Sequence, residues 1–109
     1  MGQVGQISQI NISQGGVPKH SIAEAQITYV GLVGDRQNNL KYHGGADRAV
    51  CLWSLEVIEM LQQEGHPIAP GNVGENITVS GLDWATLTPG CRLKLGASVE
   101  LQLTDYAAP

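Results

Sequence analysis

The chain has 109 residues, with six Lys and Arg against ten Asp and Glu, for a formal net charge of −4. That length holds one domain with a single core. The acid excess speaks against a protein that works by gripping nucleic-acid backbones, which normally carries a basic surplus. No apolar run nears the roughly 18 residues of a membrane span, and the amino terminus lacks a signal-peptide core. The expectation is a cytoplasmic protein with neither membrane nor nucleic acid among its partners.

Val4 to Ser13 reads as a strand. Val4, Ile10 and Ile12 fall on one parity and Ile7 on the other, a break that predicts a bulge or burial on both faces. Gly15-Gly16-Val17-Pro18-Lys19-His20 is a turn that delivers Lys19 and His20 just past that strand. Residues 23–29 alternate cleanly through Ala23, Ala25, Ile27 and Tyr29 and are predicted as a strand. A long glycine-rich segment follows, and Ala49 to Trp53 reads as a short buried strand.

Ser54 is placed to cap a helix, with Glu56 in its first turn, where the helix dipole favours negative charge. Val57, Ile58 and Leu61 form its apolar stripe, and Gly65-His66-Pro67 stops it. Residues 68–75 carry Pro70, Gly71 and Gly74 and read as loop. Asn76 to Val79 is a brief strand, and residues 82–85 a helical turn. Residues 91–95 and 99–103 alternate about Gly96-Ala97-Ser98 and predict a hairpin with its polar side chains outward. Six short strands and one helix predict a mainly β (α+β) fold, a barrel or sandwich, in a single domain.

The chain is organised around residues 31–50. Four glycines there (Gly31, Gly34, Gly44 and Gly45) accompany the donors Arg36, Lys41, His43 and Arg48. Apart from Arg92 and Lys94, every Lys and Arg lies between Lys19 and Arg48. Arg36 and Arg48 offer planar forks and Lys41 a point charge, a set suited to phosphate or carboxylate. Gly44 and Gly45 would let backbone N–H groups join them in an anion nest. The plainer reading is a long connection with solvated charges, and His43 taken alone is a turn residue. Nothing in the spacing of His20, His43 and His66 supports a zinc site.

Gly71-Asn72-Val73-Gly74-Glu75-Asn76 is a second polar glycine loop. Asn72 and Asn76 could simply stabilise a turn. Alternatively Glu75 and Asn76 line a pocket, where carboxylate and amide together recognise the edge of a heterocycle. There is no GxxxxGK and no GxGxxG, so ATP and NAD are not expected. Cys51 and Cys91 fit neither a metal spacing nor a redox pair and read as core residues. Without secretion, the sequons Asn11-Ile-Ser13 and Asn76-Ile-Thr78 are chance matches.

Together these motifs resemble the MOSC domain, named for the carboxy-terminal domain of molybdenum cofactor sulfurase, and most of all its small stand-alone bacterial members. The resemblance lies in Gly15-Gly16-Val17-Pro18-Lys19, Gly31-Leu-Val-Gly34-Asp35, Tyr42-His43-Gly44-Gly45, Arg48-Ala49-Val50-Cys51, Gly71-Asn-Val-Gly-Glu75-Asn76-Ile-Thr78 and Gly81-Leu82-Asp83-Trp84. It continues through Gly90-Cys-Arg-Leu-Lys-Leu-Gly96 and so spans nearly the whole chain.

The resemblance implies a mostly β barrel-like domain that binds the molybdenum cofactor (molybdopterin). Its activity would be sulfur transfer or the reduction of N-hydroxylated compounds, with an electron-transfer or sulfur-donor protein as partner. It places Lys19, Arg36, His43 and Arg48 at the phosphate end and Asn72, Glu75 and Asn76 near the pterin. In the family a cysteine follows a proline shortly after the last strand, as the thiolate that carries sulfur or ligates molybdenum. On that pattern the cysteine would come after Pro109. The 109 residues are then expected to be a domain lacking its C-terminal part, with an anion pocket, no thiolate, no turnover and an unpaired sheet edge. A non-catalytic module for a pterin or pyridoxal phosphate is the alternative, with Lys19 as its Schiff-base lysine. A fragment with no ligand at all is the third reading.

Overall fold

In a computed structural model of the chain, the structure describes residues 3–15, 17–28, 31–35 and 50–104. Eight strands, one α-helix and a 3-10 turn lie among them. The strands are β1 (Gln6–Ile12), β2 (His20–Ile22), β3 (Ile27–Thr28), β4 (Gly31–Leu32), β5 (Leu52–Ser54), β6 (Ile77–Ser80), β7 (Arg92–Leu95) and β8 (Val99–Gln102); α1 is Leu55–Gln63. The main sheet has the order β2-β1-β6-β5, and β3-β4 and β7-β8 form separate two-stranded sheets. The fold is strand-rich α+β. The expected barrel is not closed among the described residues.

The predicted bulge is present. The β1–β6 register shifts between Ile7 and Gln9, with Ile7 opposite Val79 but Gln9 opposite Thr78 and Ile10 opposite Ile77. One extra residue reverses the parity, so Ile7 and Ile10 reach the same side despite their odd spacing. There they line a cavity of about 230 Å³ together with Ile27, Leu32, Ile77 and Val99. Pairing Gln9 with Thr78 and Ile10 with Ile77 gives the sheet one apolar and one polar face.

Both faces are covered. Five hydrophobic residues are buried (Leu32, Ile58, Ile77, Val79 and Leu87), but so are seven polar or charged ones: Asn11, Ser13, Lys19, Ser54, Glu75, Asn76 and Thr78. Buried polar groups are tolerated only when hydrogen-bonded; Ser54 caps α1, and the other six form a second, polar core behind the sheet. None of its members lines the apolar cavity. Asn11 and Asn76, the acceptors of the two sequons, are both in it, which agrees with reading those sequons as chance matches.

Helix α1 forms where expected. The Ser54 hydroxyl accepts from the Val57 N–H at 3.2 Å and donates to Glu56 Oε1 at 3.1 Å. Glu56 Oε2 in turn accepts from the Gly81 N–H at 2.8 Å, fixing the end of β6 to the start of the helix. The stripe is narrower than predicted. Ile58 is fully buried and Leu61 partly, but Val57 is exposed.

The strand expected over residues 23–29 does not form as such. Residues 23–26 lie outside any strand and are exposed, between β2 and the two-residue β3. Ala23 and Ala25 have alternation but too little side chain to hold a strand against a core. The strand expected from Ala49 begins instead at Leu52, and Cys51 and Cys91 are each half-buried.

Candidate functional site

The polar core centres on Asp35, at the end of the β4 turn. Its Oδ1 accepts from Lys19 Nζ at 2.7 Å and from the Ser13 N–H at 2.9 Å, and its Oδ2 from Asn76 Nδ2 at 2.9 Å. The two charged side chains are 7% and 1% exposed, so this is a buried ion pair. Burial pushes the Asp35 carboxyl up, but the Lys19 ammonium, the Ser13 N–H and the Asn76 amide outweigh it and hold it below the ordinary value. One carboxylate thereby ties together the β1–β2 connection, the β4 turn and the start of β6.

Asn76 extends the network. Its Oδ1 accepts from the Cys51 N–H at 3.0 Å, and its Nδ2 also donates to the Asn11 carbonyl at 3.4 Å. Asn11 Nδ2 bonds the Glu75 carbonyl and Thr78 Oγ1, both at 3.2 Å, and its Oδ1 accepts from Gln9 Nε2 at 2.6 Å. Gln9, Asn11 and Ser13 follow one another at the period-two spacing of a strand face, on the side of β1 away from the apolar cavity.

The loop over residues 71–76 is pinned backbone to backbone. The Lys19 N–H donates to the Gly71 carbonyl at 2.9 Å. Gly71 has φ +93°, and a Cβ there would overlap the Lys19 carbonyl oxygen, so glycine is required twice over. Asn72 Oδ1 accepts from the Ala69 N–H at 2.8 Å, the turn-stabilising role that its residue type suggested. Glu75 Oε2 accepts from the Gly71 N–H at 2.9 Å and the Thr78 hydroxyl at 2.8 Å, whereas Oε1 is buried with no partner among the described residues. Burial, followed by the negative charge of Glu75, pushes the Cys51 thiol up, with Lys19 opposing.

Four of the seven residues expected at a cofactor are thus placed. Lys19, Glu75 and Asn76 come together in the polar core, and Asn72 holds the turn beside them. Arg36, His43 and Arg48, and Lys41 with them, lie outside the described residues. Lys19 meets a carboxylate rather than standing open, and the Asn76 amide is engaged at both ends. His20 and His66 are exposed, on β2 and after α1. Sequence reasoning gave no role to Asp35, Asn11, Ser13 or Thr78. The available signal was Gln9-x-Asn11-x-Ser13, three polar residues alternating with isoleucines, which a half-exposed strand would show equally.

Three comparisons extend these observations. The sequence model of the MOSC domain matches residues 39–109. Protein YiiM of Escherichia coli K12 is 32% identical over 91 residues, 79% of this chain and 40% of YiiM. The uncharacterized protein YflK of Bacillus subtilis 168 is 34% identical over 67 residues, 61% of this chain and 30% of YflK. The crystal structure of an hypothetical protein superposes with a TM-score of 0.62 at 27% identity, covering 86% of this chain and 43% of that one. The chain therefore spans less than half the length of the proteins it matches.

Proposed function

Because the chain belongs to the MOSC domain family, a family associated with the molybdenum cofactor, we propose that it binds that cofactor, molybdopterin, for sulfur transfer or the reduction of N-hydroxylated compounds. In this reading its three sheets belong to one barrel of the MOSC type. The observation that carries it is the polar core beneath the glycine loop over residues 71–76, built from the motif residues Lys19, Asp35, Glu75 and Asn76. A solvated connection needs no such foundation.

Glu75 Oε1 is the test of fit. A buried carboxylate oxygen without a donor suits the N–H edge of a pterin ring, and no other described group in this core is left wanting one. Lys19 and Asn76 then act as positioning residues, fixing Asp35 and the start of β6. Arg36, His43 and Arg48 take the phosphate, Asn72 and Glu75 the pterin end. When bound, the cofactor supplies the redox or sulfur chemistry, and this chain's residues hold and orient it. A sulfur-donor or electron-transfer protein is the expected partner. The pyridoxal phosphate alternative is weakened by Lys19, whose ammonium is committed to Asp35 rather than open to a carbonyl.

Purified chain, expressed in cells making the cofactor, is assayed for bound molybdenum by elemental analysis and for pterin by fluorescence after oxidation. We expect both to co-purify, and the double substitution Arg36→Ala/Arg48→Ala to reduce retention at least about tenfold, as removing two charge-assisted phosphate contacts should. Unchanged retention in that variant overturns the assignment. A pyridoxal absorbance band in place of pterin selects the alternative.

A further inference from the structure

Two side chains of the polar core have hydrogen-bonding capacity left over. An ammonium carries three hydrogens. Lys19 Nζ commits one to Asp35 Oδ1, and the others meet no acceptor among the described residues. Glu75 Oε2 accepts twice, while Oε1 meets no donor. The groups around them are complete. Asn76 Nδ2 donates to Asp35 and the Asn11 carbonyl, and Asn11 Nδ2 to the Glu75 carbonyl and Thr78. Gln9 Nε2 donates to Asn11 and Pro70, and the Thr78 hydroxyl to Glu75. The leftover donor and acceptor are linked through Gly71, whose carbonyl accepts from the Lys19 N–H at 2.9 Å and whose own N–H donates to Glu75 Oε2 at 2.9 Å. Both charges also act on the Cys51 thiol, in opposite directions.

Resting on the cofactor reading above, we propose that Lys19 and Glu75 together read one edge of the pterin ring, the lactam edge, where a carbonyl and a ring N–H stand side by side. Lys19 donates to the carbonyl oxygen, and Glu75 Oε1 accepts from the N–H. A carbonyl oxygen has two lone pairs and can take both free hydrogens of the ammonium, whereas a ring nitrogen has one. Paired with Asp35, the ammonium is a donor without a lone pair for attack on that carbonyl. Glu75 is fully buried and the Lys19 side chain 7% exposed, so both bonds form away from water, where they are electrostatically strongest.

Other ligand groups leave one of the two residues unmet. A phosphate offers acceptors to Lys19 but no N–H to Glu75, and its charge faces the carboxylates of Asp35 and Glu75 against one ammonium. Lys19 therefore belongs with the ring rather than at the phosphate end, where the family resemblance put it. An amidinium or ammonium offers donors to Glu75 but opposes its charge to that of Lys19, whose hydrogens still lack an acceptor. The opposite edge of the pterin, an amino group beside a bare ring nitrogen, satisfies Glu75 but has a lone pair for only one hydrogen of Lys19. The lactam edge satisfies both.

Fluorescence titration of bare pteridines into the full chain, produced in cells that do not make the cofactor, tests this at neutral pH. 6-Hydroxymethylpterin and 6-hydroxymethyllumazine share the lactam edge and differ at the 2-amino group, so they should bind within about threefold of each other. A methyl group on N3 of the pterin removes the donor and should weaken binding at least about tenfold, as loss of a hydrogen bond to a charged group does. Glu75→Gln should weaken the parent pterin by a similar factor and abolish the discrimination against the N3-methyl compound. Lys19→Met should weaken both compounds alike and leave that discrimination in place. Circular dichroism checks that the variants keep the fold, and the ligand series on the native chain decides without them. The inference is overturned if N3 methylation is harmless, if the lumazine loses affinity while the N3-methyl pterin does not, or if Glu75→Gln keeps the discrimination; the cofactor reading survives each of these. A chain that retains the cofactor but binds no bare pterin overturns it too, because the phosphate end then carries recognition. Failure to bind either takes down this inference and the cofactor reading together.

Discussion

Lys19 Nζ and Asp35 Oδ1 meet at 2.7 Å, with both side chains almost wholly removed from water. The two partners do not contribute alike. Asp35 also accepts from Ser13 and Asn76, so Asp35→Asn aims an amide donor at a donor in either orientation and strips Lys19 of its counter-charge. Breaking a buried pair from one side costs about 3–5 kcal/mol. We expect Asp35→Asn to fall in that range by urea denaturation and Lys19→Met to cost less, since Asp35 keeps Ser13 and Asn76. Equal costs would show that the ion pair, not the hub, is what matters.

The same group gives the stability a pH dependence. The folded carboxyl titrates below its ordinary value of 3.8. Its contribution is therefore complete above 3.8 and disappears as the pH falls through the lower folded value. Melting temperature should drop on acidification below about pH 4, more steeply in the native chain than in Asp35→Asn, which has no carboxyl there to protonate. Parallel pH profiles would assign the acid sensitivity to other carboxylates.

Glu75 offers a contrast between shape and charge. Glu75→Gln keeps an oxygen for the Gly71 N–H and the Thr78 hydroxyl and puts a donor where Oε1 now has no partner. Glu75→Ala orphans both donors, at about 1–3 kcal/mol each. We expect Gln to lie within about 1 kcal/mol of the native protein and Ala to cost several times more. If Gln proves as damaging as Ala, the carboxylate's charge is what the core needs.

What could be read from the chain, and what could not, divides by distance along it. Ser54 and Glu56 signal the helix because a cap acts over three residues. The hairpin shows in the alternation of Leu93, Leu95, Val99 and Leu101, since both strands adjoin its turn. Even the β1 bulge is visible as a parity break at Ile7. The polar core is not, because Asn11 and Glu75, or Asp35 and Asn76, meet only once the sheet brings distant segments together. A polar residue on alternate strand positions looks solvent-facing until the element covering it is known. Residues 23–26 fail the opposite way, with the right period and too little to bury.

Two glycines separate strain from collision. Gly65 and Gly71 have nearly equal positive φ, +97° and +93°, but a Cβ on Gly65 meets nothing within 4 Å whereas one on Gly71 overlaps the Lys19 carbonyl. Gly65→Ala should cost only the backbone strain, about 1–2 kcal/mol. Gly71→Ala must also push apart the Lys19–Gly71 hydrogen bond and should cost at least about 3 kcal/mol, the range of severe core substitutions. Thermal unfolding of the pair measures the difference, and matched values would mean that the loop yields freely at Lys19.

Cys51 tests the electrostatics of the core from outside it. Burial and the negative charge of Glu75 both disfavour its thiolate, and Lys19 only partly compensates. Since the thiolate is the reactive form, Cys51 should be slow to alkylate at neutral pH, in a Cys91→Ser background that leaves one thiol. Glu75→Gln removes the negative charge and keeps the burial, so the alkylation profile should move to lower pH without reaching that of a free thiol. Lys19→Met removes the opposing positive charge and should move it higher. A profile that stays put in both variants would mean that burial alone governs this thiol, and that the charges around Asp35 and Glu75 do not reach β5.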